Sequence, residues 1–164
     1  MARKTGNDGT VLIWGLTGAI VISRPGPGVL YLIGLRNFDG PFEDGPMRDF
    51  DREIAQHGSL ALFLDVRSVE HGSRKSRQAW KEWSTQNRDR VRSNLLVQSR
   101  ILHMAVSVIA MVSGASTQSF NEEAGFLAEL TRKVPTMRAL PTVPAWVPSV
   151  LSDTQSGLVR GLVP

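Results

Sequence analysis

Three residues whose side chains could do chemistry together lie close to one another in the sequence, in the middle of the chain. Asp65 ends a continuous apolar run, and His71 and Ser73 follow in the next polar segment. A carboxylate, an imidazole and a hydroxyl are the groups of a nucleophilic triad. The G-x-S-x-G turn that presents such a serine is absent, and nothing in the sequence indicates that Asp65 or another group orients His71. The sequence therefore does not favour a hydrolase.

Asp65 has two interpretations. Open α/β sheets bind ligands beyond the carboxyl ends of their strands, so a carboxylate at that point can orient a ligand or a basic group of a partner. A carboxylate in the same place also commonly accepts hydrogen bonds from amides of the following loop. We favour the second role.

Ser73 stands immediately before a basic segment. Either Ser73 or Ser76 is typical of a helix N-cap. A phosphate on Ser73 would be stabilised by the helix N-terminal amides and by neighbouring cations. Ser73 is therefore a candidate phosphorylation site beside a basic face, and this face comprises Arg74, Lys75, Arg77 and Lys81.

A second candidate site lies at Ser99 and Arg100, where a predicted strand is followed by an apolar helix. Helix N-terminal amides and a guanidinium can bind an anion. Simple capping by Ser99 is the alternative, and we favour it. His103, one turn further along, is expected to be a core or boundary histidine rather than a ligand.

Several cofactor classes have no support in the sequence. The chain has no Cys, and its His residues (His57, His71 and His103) are widely spaced, so no metal-ligand pattern is present. The Gly26-Pro27-Gly28 stretch is not a phosphate-binding loop, since no Gly-Lys-Ser/Thr accompanies it. We expect no cofactor and no catalytic residue.

The charge of the chain is segregated along the sequence. The formal net charge is +4 and the isoelectric point is about 10.1. Acids are concentrated in residues 39–53 and bases in residues 67–100. A basic stretch can attract phosphate, nucleic acid or an acidic protein, although a solvated helix face is the simpler interpretation. Trp80 and Trp83 fit a buried helix stripe, so nucleic acid is not favoured as a partner.

The 164 residues suit one domain, and strands alternate with helices along them. Strands are predicted at 11–16, 19–23, 29–35, 60–66, 94–98 and 116–120. Helices are predicted from Pro46 to about residue 57 with Asp44 as cap, at 76–91, at 100–112, and up to Lys133 from a capping box of Ser119 and Glu122. The order β-β-β-α-β-α-β-α-β-α predicts an α/β domain with a mixed, largely parallel sheet and a leading hairpin, the strands at 29–35 and 60–66 being central.

The two ends of the chain differ in composition from the domain at 10–134. Residues 1–9 are small and polar and predict a flexible arm. Residues 135–164 form a Pro-rich apolar tail, in which prolines oppose regular structure over most of the length. We expect part of this tail, centred on Trp146 and Val147, to pack on its own domain or on a second copy; a disordered end is the alternative.

The sequence also indicates a compartment. The first residues lack the apolar region of a signal peptide, and no apolar run reaches the roughly 20 residues of a membrane span. The absence of Cys suits a reducing environment. We expect a cytoplasmic protein with no membrane span.

The stretch Leu62-Phe63-Leu64-Asp65-Val66-Arg67-Ser68-Val69 resembles the central strand and following loop of bacterial STAS-like domains, the sulphate-transporter and anti-sigma-factor-antagonist fold. The predicted element order over about 10–134 is similar too. In the antagonist branch, a Ser at the start of the next helix is phosphorylated by a partner kinase. The matching stretch here is His71-Gly72-Ser73, without the Asp-Ser-x-Gly signature of that branch.

The resemblance implies a non-enzymatic regulatory or protein-interaction module, with Ser73 as a candidate switch. Its partner would be another protein or a second copy of the chain. Lipid-transfer domains share the general layout, so a small-ligand domain for a lipid or an anion is the alternative. Its pocket would lie near Asp65, Ser99 and Arg100.

Overall fold

The computed structural model describes residues 2–38, 45–98 and 116–154. In these ranges the strands are β1 (Ala2–Thr5), β2 (Val11–Trp14), β3 (Gly18–Gly26), β4 (Val29–Phe38), β5 (Leu60–Gly72), β6 (Val91–Leu96) and β7 (Thr117–Phe120). The helices are α1 (Met47–His57), α2 (Arg74–Gln86), α3 (Glu123–Lys133) and α4 (Trp146–Thr154). No helix within these ranges is both long enough and apolar enough to cross a membrane.

The strands form a single mixed sheet whose spatial order follows the chain from β1 to β7. The pairs from β1 to β4 are antiparallel, because short turns connect these strands. The pairs from β4 to β7 are parallel. Crossover helices α1 and α2 connect β4 to β5 and β5 to β6, which parallel pairing requires. The predicted mixed α/β sheet with a leading hairpin, and with β4 and β5 paired in parallel inside it, is confirmed.

Helices cover both faces of the sheet. This coverage explains why the first part of β5 is continuously apolar. Its Leu62 and Leu64 belong to one buried cluster, together with Phe50 of α1 and Trp83 of α2. Phe63, which points the other way, belongs to a second cluster with α3 and α4. Successive side chains of a strand face opposite sides, so a strand covered on both sides must be apolar throughout.

The prediction of a flexible arm is wrong for residues 2–5. These residues form the edge strand β1, which pairs antiparallel with β2 although its side chains are exposed. Arg3 also forms a salt bridge with Asp49 of α1, with Nη1–Oδ2 at 2.7 Å. A polar composition pointed to disorder, but strand pairing uses backbone groups and does not depend on apolar side chains.

Several predicted boundaries in the middle of the chain are also corrected. The strand predicted at 60–66 continues to Gly72, so the expected polar loop is largely strand. The helix predicted at 76–91 is α2, which ends at Gln86, and Val91 begins β6. The strand predicted at 94–98 is this β6.

The predicted capping box is wrong. Ser119 lies in β7, and Glu122 is the N-cap of α3 without a side-chain cap hydrogen bond. The predicted cap Asp44 and the predicted helix at 100–112, with His103, lie outside the described residues.

The predicted docking of the Pro-rich tail on its own domain is confirmed as far as Leu151. Val147 and Leu151 of α4 are buried in the cluster that contains Phe126 and Leu130 of α3. The prediction that prolines oppose regular structure fails for α4. Pro148 falls in its first turn, where a backbone amide has no helical partner to lose.

Replacing Trp83 with Ala should lower the free energy of unfolding by about 3–5 kcal/mol. Its side chain is 7% exposed, its ring centroid lies 5.1 Å from that of Phe50, and its Nε1 donates to Asp51 Oδ1 at 2.8 Å. The half-buried Trp80 is the matched control, and Trp80→Ala should cost about 2 kcal/mol. Chemical denaturation measures both, and equal costs would contradict the difference in burial.

Replacing Leu151 with Ala should lower the free energy of unfolding by about 2–4 kcal/mol, because Leu151 is 1% exposed in the sheet-facing cluster. Val150→Ala, at a half-buried position of the same helix, should cost about 1 kcal/mol or less. A melting curve unchanged by Leu151→Ala would show that α4 does not dock on the domain in solution.

Candidate functional site

Asp65 lies at a fork in the sheet rather than at the end of its strand. The pairing of β5 with β6 ends at Asp65 opposite Leu96. The pairing of β5 with β4 continues to Gly72 opposite Phe38, with register shifts on the way. The two strands therefore extend as a ribbon beyond the rest of the parallel sheet. The C-terminal ends of the parallel strands and the α2 N-terminus form what we call the carboxyl edge.

The carboxylate of Asp65 is held by Arg67. Its Oδ1 accepts from Arg67 Nε at 2.9 Å, and its Oδ2 accepts from Arg67 Nη2 at 2.6 Å. The Arg67 backbone N–H also donates to Oδ1 at 3.2 Å, which is the amide-accepting role that we favoured. The third nitrogen of the guanidinium, Nη1, donates to Glu123 Oε2 at 2.8 Å and so links β5 to α3. The carboxylate is thus already paired, and it is not a free general base.

Tyr31 completes this cluster from β4. It is fully buried, and its hydroxyl lies 3.5 Å from Asp65 Oδ2, at the outer limit of a hydrogen bond. Burial raises the pKa of the Tyr31 hydroxyl above its ordinary value, and the negative charge of Asp65 raises it further. The hydrogen bonds to Asp65 raise the pKa of the Arg67 guanidinium, despite its partial burial. Tyr31 stays protonated and Arg67 stays charged, so the cluster fastens β4, β5 and α3 together.

Ser73, one of the two serines predicted as candidate caps, is the N-cap of α2. Its hydroxyl oxygen accepts from the Ser76 amide at 3.0 Å. The triad suggested by residue type is not assembled, because Arg67 holds Asp65 and the extended strand carries Ser73 roughly 20 Å beyond it. The backbone of His71 pairs with Asn37 of β4 within this ribbon.

The basic residues predicted beside Ser73 lie on α2 and are exposed. Arg74, Arg77 and Lys81 are spaced at i, i+3 and i+7, which places them on one face of the helix. Lys75 is exposed beside them, and the Arg77 guanidinium donates to the carbonyl of Gly72. The opposite face of α2 packs inward. The structure therefore brings Ser73 and the basic face together at the carboxyl edge.

The predicted anion site is not part of what the structure describes. Ser99 and Arg100 lie outside the described residues, so the pocket expected between them and Asp65 stays a prediction. Within the described ranges, no group of three or more His, Asp or Glu side chains is arranged to hold a metal ion.

A buried acidic pair on α1 was missed by the sequence reasoning. Asp49 is fully buried and accepts from Arg3 at 2.7 and 2.9 Å and from Arg24 Nη2 at 2.8 Å. Glu53, which is 4% exposed, accepts from Arg24 Nε at 2.9 Å. The sequence did carry a signal for this burial. The two acids are spaced at i, i+4, and they lie close to Phe50, which belongs to the predicted inward stripe.

These contacts decide the ionisation of Asp49. Burial alone would raise the pKa of its carboxyl, but hydrogen bonds and charge from Arg3 and then Arg24 outweigh burial and hold the pKa below its ordinary value. The ionised carboxylate ties β1 and β3 to α1. The role of this cluster is to hold these elements together, and its carboxylates are already bound by arginine.

The comparisons with known proteins agree with this architecture. No protein-family model matches the sequence, and no curated protein matches it. One similar solved structure is that of an uncharacterized protein of the DUF3478 family from Shewanella loihica PV-4, described as having a SpoIIAA-like fold. The sequence identity is 15%, the match covers 72% of this chain and 98% of that chain, and the TM-score is 0.56.

A likeness at this identity shows the fold. The chain has a SpoIIAA-like fold, which is the STAS-like fold, and the resemblance read from residues 62–69 is confirmed at that level. The protein is thus an α/β domain with a STAS-like fold.

Replacing Asp49 with Asn should lower the free energy of unfolding by about 3 kcal/mol at pH 7, because Arg3 loses its charged partner and Arg24 keeps only Glu53. The folded-state pKa of Asp49 is depressed, so its contribution is complete above the ordinary carboxyl pKa of about 4 and is lost as the pH falls further. The difference between wild type and variant should therefore shrink below about pH 4.

Denaturant titrations at pH 7, 5 and 3 measure this pH dependence. Asp89→Asn, at a side chain that is 90% exposed, is the control and should change stability by about 0.5 kcal/mol or less. A cost for Asp49→Asn that stays constant down to pH 3 would contradict the assignment.

Proposed function

We propose that the protein is a non-enzymatic regulatory module that binds an acidic partner protein through the carboxyl edge. The docking surface consists of the α2 N-terminus and its basic face. The observation that carries the proposal is the position of Ser73, whose hydroxyl caps α2 directly beside Arg74 and Arg77. A negative charge added at the Ser73 hydroxyl would reduce the net positive charge of the docking surface.

Phosphorylation of Ser73 is the regulation that this geometry favours. A phosphate there would meet the positive N-terminal end of α2 and the adjacent guanidinium groups, which stabilise it without unfolding the helix. It would also neutralise the cations that attract an acidic partner. Modification of Ser73 should therefore release the partner rather than recruit it.

The state of the other reactive groups supports a module without chemistry of its own. Asp65 is bound by Arg67, and Asp49 is bound by Arg3 and Arg24. Catalytic acids and bases need an unpaired group poised to exchange a proton with substrate. Among the described carboxylates, these two buried groups are instead neutralised by arginine.

Ser73→Asp should reduce capture of the partner from a lysate of the native host by at least about tenfold, and Ser73→Ala should leave capture within about twofold of wild type. Lys81→Glu, which reverses one charge of the basic face, should also reduce capture. Arg138→Glu is the matched control, because Arg138 is exposed between Met137 and Leu140, which pack on the other face of the sheet. Quantitative mass spectrometry of the captured proteins measures all four variants.

Folding of the variants is checked by thermal melting. Asp is as good an N-cap as Ser, so Ser73→Asp should keep the stability of the wild type, whereas Ser73→Ala should lose about 1 kcal/mol. Equal capture of every protein by the wild type, Ser73→Asp and Lys81→Glu would rule out the docking surface. Turnover on an esterase or phosphatase panel that is abolished by His71→Ala would instead make the protein an enzyme.

A further inference from the structure

A polar groove of about 780 Å³ lies at the opposite edge of the sheet, where the parallel strands begin. Its lining includes the first residue of each of three strands, Val29 of β4, Leu60 of β5 and Val91 of β6. The loop before β6 is fixed in place by a hydrogen bond from Leu60 N to Arg90 O at 2.8 Å. The groove, which we call the basic groove, is thus built on the frame of the sheet.

The side chains around the basic groove are predominantly cationic. Asp89 is the acidic group of the described lining, and it neutralises little, because it is 90% exposed and lies 3.9 Å from Arg88. His57 also lines the groove, and its Nε2 lies 3.5 Å from Glu53 of its own helix. The permanently charged lining residues are Arg88, Arg90, Arg92 and Lys133.

Three of these cations make no direct ion pair with the residues that the structure describes, although the charges of Lys133 and Arg92 add to the hydrogen bond from Arg132 in lowering the pKa of the nearby Glu129 carboxyl. Within the described segments, Arg90, Arg92 and Lys133 form no ion pair. The nearby Glu129 is committed to Arg132, whose Nε donates to it at 2.8 Å. Like charges gathered at one groove repel one another, and an anion bound among them relieves that repulsion.

The chemistry of the lining selects the class of anion. Guanidinium groups present several N–H donors in a planar fork that matches phosphate oxygens. The volume lies within the range of small-molecule sites, but apart from His57 the described lining holds no aromatic ring on which a base could stack. We propose that the basic groove binds a small anion that carries at least two phosphate charges.

This site is separate from the docking surface at the carboxyl edge. The strand β5 runs from the groove at Leu60 to the α2 N-terminus at Gly72, and its 13 residues span about 40 Å. The two sites use different side chains. Failure of one proposal therefore leaves the other standing, and each has its own variants.

Isothermal titration of the full chain with inorganic pyrophosphate at physiological salt tests the proposal. We expect saturable binding of one pyrophosphate with a dissociation constant below about 1 mM. Arg90→Gln and Arg92→Gln should each weaken binding by about tenfold or more, since each removes a charge-assisted contact. Both positions are exposed, so the variants should fold, which melting curves verify.

Arg48→Gln is the matched control. Arg48 is exposed near the start of α1, about 14 Å along the helix axis from His57, and its loss should leave the pyrophosphate affinity within about twofold. Absence of saturable binding, or an equal loss in Arg48→Gln and Arg92→Gln, would overturn the proposal. Binding of a duplex oligonucleotide in place of pyrophosphate would overturn it too, and would identify a nucleic-acid surface.

Discussion

The parallel pairing of β4 with β5 is the constraint on which the rest of the structure depends. Both strands are buried on both faces, so their backbone polar groups must be satisfied within the sheet and their side chains must be covered on two sides. α1 and α2 cover one side. On the other side α3 is joined by α4, whose Val147 and Leu151 are buried with Phe126. Val147 and Leu151 of the tail are therefore part of the core, although the composition of the tail resembles that of a linker.

Arginine pairing decides which polar groups remain available for function. Asp49 and Asp65 are buried acids, and each is bound by guanidinium groups from another part of the chain or from its own strand. An unpaired buried carboxylate would be costly, so these pairs stabilise the fold by removing that penalty. Several of the exposed cations lie at the two ends of the parallel strands. These ends carry the basic face of α2 and the basic groove.

The two charged ends suggest a division of labour in the regulatory module that we propose. One end presents a serine at a helix N-terminus, where a phosphate would alter binding of an acidic protein. The other end presents cations around a groove of small-molecule size. The strand β5 connects the two ends. Binding of a ligand at one end can therefore alter binding at the other only through changes in the sheet or its covering helices.

The amino-acid sequence by itself determined the element order and the central place of the two continuously apolar strands, and it narrowed the cap of α2 to Ser73 or Ser76, because periodicity and capping are local properties. It also contained the signal for docking of the tail, in the apolar side chains among the prolines. Tertiary structure decided the rest. The pairing of β1, the extension of β5 beyond Asp65, and the clamp of Asp49 by Arg3 join residues far apart in sequence. The basic groove likewise combines loops from β4, β5 and β6 with Lys133, and no local pattern encodes that meeting.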